Sequence, residues 1–138
     1  MPLDTRSHKR QPMEAAVTFA IHESMSSSVK INIPMTQIKA GLYDISANGC
    51  GLDSPYLIPP DTLIKIDINA APFAQELKVE HSQTIAVTGT VRSCIMKAVG
   101  RYRLGVQFVE IGKEDQEFIG KYIQLKDHRQ SPRWNVAQ

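Results

Sequence analysis

Two arginines four residues apart in Arg6-Ser-His-Lys-Arg10, and a carboxylate, a hydroxyl and a glycine spaced through Asp44-Ile-Ser46-Ala-Asn48-Gly49, are the residues best suited to chemistry. The chemistry is that of holding a ligand. An arginine fork binds phosphate bidentately and its flat face stacks on a planar base, whereas Lys9 adds charge without the fork. Arg6 and Arg10 can converge on one ligand whether their segment is a turn of helix or a tight loop. Asp44 and Ser46 lie two apart on a predicted strand and so project from the same face. The carboxylate accepts hydrogen bonds, and the hydroxyl both donates and accepts. Gly49, lacking a Cβ, permits positive φ and lets a backbone N–H come close to a bound group. Each motif also has a plainer reading on its own: solvated charges on a polar terminus, and a turn built from Asp, Ser, Asn and Gly.

The elements that must position these residues are mostly strands. A basic polar arm is expected over residues 1–13, ending near Gln11-Pro12, because proline favours an extended residue before it. Ala15, Val17, Phe19 and Ile21 alternate with Ala16, Thr18, Ala20 and His22, and Val29, Ile31, Ile33 and Met35 resume the alternation. That pair reads as a hairpin. A third strand is expected from about Lys39 to Ser46. A short extended piece follows Gly49 and Gly51, then a strand on Ile64, Ile66 and Ile68. Asn69 to Gln83 is ambiguous: Pro72 breaks it, and a short strand around Leu77 to Glu80 is one reading. Ile85 to Cys94 is β-rich, and Tyr102, Leu104, Val106 and Phe108 mark the last alternating strand, with Arg101, Arg103 and Gln107 on its solvated face.

From Gly112 the period changes. Glu114, Asp115 and Glu117 suit the positive end of a helix, and Phe118, Tyr122 and Leu125 recur at helical spacing. The expected fold is therefore all-β with a terminal helix: a small antiparallel β-barrel of six or seven strands over 14–112, capped by a helix over 113–130, with a tail over 131–138.

With 138 residues, 42% of them hydrophobic and 22% charged, the chain is one ordinary globular domain. A formal net charge of +2 gives no footing for DNA. Cys50 and Cys94 lack Cys-x-x-Cys spacing, and His8, His22, His81 and His128 lack metal-ligand spacing, so neither a disulfide scaffold nor a metal site is expected. No stretch has the length of a membrane span or the pattern of a signal peptide, and the cytoplasm is the expected compartment. Ser46 lacks the Gly-x-Ser-x-Gly context of a nucleophile and Asp44 has no partner carboxylate, so no enzyme is expected.

Arg-xxx-Arg on a terminal arm, followed by a strand and then by Asp-x-Ser-x-x-Gly with Cys50-Gly51-Leu52 after it, resembles the PilZ domain family of cyclic di-GMP receptors. Tyr102-Arg-Leu-Gly105-Val-Gln-Phe108 is similar to that family's last barrel strand, and the likeness spans residues 6 to about 125. The resemblance implies that Arg6 and Arg10 clasp phosphates and guanine faces, Asp44 and Ser46 read a guanine edge, and Gly49 gives close backbone approach. Lys9 and Asn48 fill variable positions of the motifs. Thr5, before the first arginine, is neither a large apolar wedge nor an arginine and fits one ligand or a stacked pair.

The expected function is a receptor and adaptor that orders its arm on cyclic di-GMP and signals to a downstream protein, with no cofactor. The alternatives are a PilZ-like protein-interaction module without nucleotide, or a small barrel binding single-stranded nucleic acid. The second alternative lacks exposed aromatics, since Tyr102 and Phe108 fall on the expected core face.

Overall fold

The computed structural model describes residues 11–23, 38–81 and 84–130. Arg6, Lys9, Arg10, the alternating stretch from Val29 to Met35 and the tail from residue 131 lie outside them. The elements are β1 (Gln11–Ile21), β2 (Ile38–Ser46), β3 (Gly49–Ser54), β4 (Leu63–Asn69), α1 (Ala71–Leu77), β5 (Thr84–Ala98), β6 (Arg101–Ile111) and α2 (Lys113–Gln130). Six strands close an antiparallel barrel in the spatial order β1-β2-β3-β6-β5-β4, β1 pairing with β4 to complete the ring. Closure satisfies the backbone groups that an open sheet would leave at its margins.

The alternation seen in the sequence is what turns each strand. Ile64, Ile66 and Ile68 of β4 are fully buried while Lys65 and Asp67 face solvent. Val17, Phe19 and Ile21 of β1 enter the same interior beside Leu42, Leu52 and Leu104. β1 begins at Gln11, inside the stretch expected as arm: Gln11 lies opposite Ile45 and Pro12 opposite Asp44, and the register then shifts before Ala15. A proline is tolerated in a strand next to such an irregularity, because the ladder there does not need its N–H.

The segment after β4 differs from expectation. Residues Ala71–Leu77 are helical, and no strand forms at Leu77–Glu80. Pro72 starts this helix instead of breaking it, since in the first turn its missing N–H has no intrahelical partner to lose. The Asn69 side-chain oxygen accepts from the Ala71 N–H at 3.1 Å. Lys78, with φ 58°, ends the helix in the left-handed region, its N–H turned back to the last-turn carbonyls.

The helix exists to be packed on. Phe73 meets the Tyr122 ring edge-on at 4.7 Å and Phe118 at 6.3 Å, joining α1 to α2. Lys126 donates to Glu76 at 2.7 Å, and the Tyr122 hydroxyl donates to the same carboxylate at 3.3 Å. His81 lies parallel on Phe118 at 3.9 Å and bonds Asp115 at 2.7 Å, fastening the segment that leaves α1 to the first turn of α2. Phe73, Phe118, Ile119 and Tyr122 are continuous with the barrel interior, so helices and barrel share one core.

Two outcomes follow. Phe73→Ala should cost about 3–5 kcal/mol of unfolding free energy in urea titration, because the cavity lies where both helices meet the barrel. Tyr122 should ionise late: burial first, then the Glu76 carboxylate, push its hydroxyl up to about 12. The unfolded chain loses this proton near pH 10. Stability is therefore fully present below about pH 10 and declines as pH rises from there through about 12. Ultraviolet titration of the wild type against Tyr122→Phe should show one late-ionising tyrosine that the variant lacks.

Candidate functional site

The Asp44–Gly49 motif is the hairpin between β2 and β3. Asp44 lies opposite Gly51, Ile45 opposite Cys50 and Ser46 opposite Gly49, leaving Ala47 and Asn48 as the turn. Ser46 is 3% exposed, and its hydroxyl accepts from the Asn48 N–H and donates to the Gly49 carbonyl, both at 3.3 Å. The turn is also held from outside. The Phe108 N–H donates to the Asn48 carbonyl at 2.7 Å, and the Gln116 side chain of α2 donates to the Ala47 carbonyl at 3.3 Å. Ser46 thus shapes the turn, with its hydroxyl committed to backbone.

Asp44 is partly exposed on the outer face of the barrel. It reaches that face because the register slips between Leu42, opposite Leu52, and Asp44, opposite Gly51, making Tyr43 an extra residue. Leu42 and Ile45 both point inward, so Tyr43 and Asp44 both point out. A Cβ on Gly51 would stand 2.8 Å from the Asp44 Oδ1, so the glycine is what lets the carboxylate lie across β3. Gly51 in turn lies opposite Gly105 of β6, and Gly105 opposite Ser93 of β5. A Cβ on Gly105 would come 2.6 Å from the Ser93 Oγ. The result is a strip over β2, β3, β6 and β5 with a carboxylate at one end, a hydroxyl at the other and two glycines for a floor.

Arg103 flanks that floor. Its Nε donates to Asp53 at 3.4 Å, and its guanidinium carbon lies 3.4 Å from the centre of the Tyr43 ring, itself 44% exposed. Arg103 was expected on a freely solvated strand face. It is instead half-buried and fixed by a carboxylate and an aromatic ring, because the register sets Asp53 directly opposite it. Arg101 and Gln107 are exposed as expected, Gln107 accepting from the Arg92 Nε at 2.8 Å. Tyr43, Arg103, Gly105 and Ser93 are the site's additions to the sequence motifs. Only a cross-strand register reveals them, although the aromatic residue beside Asp44 was there to be read.

Gly49 is buried opposite Gln107, and Asn48 is exposed at the turn. Cys50, immediately behind the motif, is free and fully buried in the core. Arg6, Lys9 and Arg10 lie outside the described residues, but their attachment point does not. Gln11, bonded to Arg10, is the residue opposite Ile45, so the arginine segment joins the barrel at the Asp44–Gly49 turn. Among the described residues no cluster of His, Cys, Asp and Glu could hold a metal, and no helix is long and apolar enough to cross a membrane.

A family model described as "PilZ domain" matches residues 4–125. The fold is similar to that of the Bacillus subtilis inhibitor of motility MotI/DgrA, at 17% identity and a TM-score of 0.64, covering 90% of this chain and 52% of that one. It is similar also to the PilZ domain of Escherichia coli YcgR solved with c-di-GMP, at 11% identity and a TM-score of 0.60, covering 96% and 98% of the two chains. The K. pneumonia MrkH–c-di-GMP complex gives 17% identity and a TM-score of 0.60 over 95% of this chain and 56% of that one. The chain thus spans about half the length of MotI/DgrA and of MrkH. No curated protein matches it in sequence.

Removing the Ser46 hydroxyl tests whether the turn depends on it. Ser46→Ala should lower unfolding free energy by about 1–2 kcal/mol in urea titration, the value of a buried hydroxyl serving a donor and an acceptor. Loss of less than a few tenths would show that Phe108 and Gln116 hold the turn unaided.

Proposed function

The chain belongs to the PilZ domain family, and on that premise we propose that it is a receptor for cyclic di-GMP that signals to a partner protein and catalyses no reaction. The observation that carries this reading is the β1–β2 register. With Gln11 opposite Ile45 and Pro12 opposite Asp44, the chain enters the barrel beside the Asp44–Gly49 turn, which supports a shared site for that turn and the arginines that precede Gln11 in sequence. The two motifs, far apart in sequence, thereby serve one ligand.

The ligand offers two phosphates and two guanines. Arg6 and Arg10 take phosphate oxygens and guanine acceptors in their forks and stack on base faces. Asp44, lying over Gly51, accepts from a guanine's N1–H and N2–H2. Ser46 acts by holding the turn, which presents Gly49 and the Asn48 side chain; Lys9 adds charge. Arg103, already flat against Tyr43, gives the glycine-floored strip a cationic wall beside the guanine. Ordering of the segment from Arg6 to Arg10 on the ligand creates a composite surface of arm, barrel and nucleotide for the partner. The c-di-GMP complexes of YcgR and MrkH, which share this fold, support the assignment.

Calorimetric titration with cyclic di-GMP, with GTP as control, tests the reading. Saturable binding at micromolar or tighter affinity is expected for the first and none for the second. Arg10→Ala should lose a charge-assisted contact of about 1.5–3 kcal/mol, or roughly tenfold to a hundredfold in affinity. A folded Arg10→Ala protein that binds normally, or a wild type that gives neither heat nor a shift in melting temperature, would overturn it. The second result would leave a PilZ module that recognises protein alone.

A further inference from the structure

We propose that the β5–β6 hairpin is a docking strand: an extended, acidic segment of a partner protein adds to the free edge of β5 at Ser93–Met96. The inference does not depend on nucleotide binding. It starts from a mismatch in strand length. β4 pairs with β5 only from Thr84 to Thr90. The Val91 N–H then donates to the Thr62 carbonyl at 2.9 Å, and the Val91 carbonyl accepts from the Asp61 N–H at 2.7 Å. Beyond that point β5 continues to Ala98 and, among the described residues, pairs with β6 alone. In an antiparallel pair alternate residues turn their N–H and C=O away from the partner strand. From Arg92 onward those groups have no backbone partner among the described residues.

An exposed edge of this kind is normally blunted by proline, by charge, by β-bulges that twist it away or by cover from another element. Here bulges limit the edge to a short window. Ser93-Cys94-Ile95-Met96 contains neither proline nor charge. Ile95 is 53% and Met96 62% exposed, and Val99 at the hairpin tip is 95% exposed. Register shifts on either side, at Arg92 and at Lys97, bound the regular window. Between those two shifts, four uncharged residues with an unpaired edge at the end of an otherwise closed barrel form a short template for strand addition.

Charge selects the occupant. Arg92, Lys97 and Arg101 surround the window and are all exposed, with the Asp61 carboxylate 3.8 Å from Arg92 as their acidic neighbour. A second copy paired edge to edge would bring these like charges together, which is unfavourable. An extended segment with apolar residues at alternate positions and Asp or Glu at its ends completes both the ladder and the charge pattern.

The test uses the full chain, labelled for amide nuclear magnetic resonance, and two peptides, Glu-Thr-Val-Thr-Val-Glu and Lys-Thr-Val-Thr-Val-Lys. The acidic peptide should shift the amides of Ser93 to Met96 and slow their hydrogen exchange. It should bind at least tenfold tighter than the basic peptide and weaken as salt is raised. The double variant Lys97→Glu, Arg101→Glu, altering two exposed side chains, should reverse the preference. Equal binding of the two peptides, no binding, or shifts confined to other strands would overturn the proposal. So would amides 93–96 already protected in the free protein, which would place this chain's own residues on the edge. Concentration-dependent self-association through those amides would assign the edge to a second copy, and capture by anionic vesicles without peptide would assign the tip to a membrane; either would overturn it.

Discussion

The double pairing of β1 is the constraint on which the rest of this structure depends. One side of β1 carries β2 and the other carries β4, so a single strand both closes the barrel and begins, at Gln11, beside the Asp44–Gly49 turn. The interior fixes that register, because Val17 and Phe19 must face Leu42 and the isoleucines of β4. A slip of one residue would turn every apolar side chain of β1 outward. Beyond the one-residue shift before Ala15, the strand carries on to set Gln11 against Ile45. Burial of aliphatic side chains in the core, together with that shift, therefore determines that β1 begins beside the Asp44–Gly49 turn.

The outer face is organised by departures from regular geometry. In an unbroken β2, Tyr43 and Asp44 would point to opposite sides of the sheet. One extra residue brings both outward, at the cost of a local break in the ladder. Two glycines then keep the surface beyond Asp44 low enough for its carboxylate and the Ser93 hydroxyl to lie flat. Arg103, clamped between Asp53 and Tyr43, loses little freedom in meeting a planar partner because its guanidinium is already oriented.

Periodicity made the barrel strands and α2 legible in the sequence. Their apolar positions recur at two residues or at three and four, and the register of the core obeys them. The region after Asn69 was read less well because Pro72 breaks a helix interior yet opens a helix, and only the packing of Phe73 on α2 distinguishes the two. Asp44 and Ser46 were recognisable as a motif, but the commitment of the Ser46 hydroxyl to its own turn depends on a hairpin only two residues long. Arg103 and the pairing of Gly51 with Gly105 were illegible for a plainer reason. Their significance lies in which residue sits across the ladder, and a single sequence does not contain that register.

Strand β6 links the glycine floor to the hairpin edge. Gly105 forms part of the floor beside Asp44, and Arg103, the cationic wall, lies opposite Ile95 of the hairpin edge. The surfaces nevertheless draw on different groups. A ligand on the floor uses side chains that stand out from the sheet, whereas an added strand uses backbone N–H and C=O groups lying in the plane of the sheet. A strand added along β5 and a ligand on the floor would therefore not compete for the same groups.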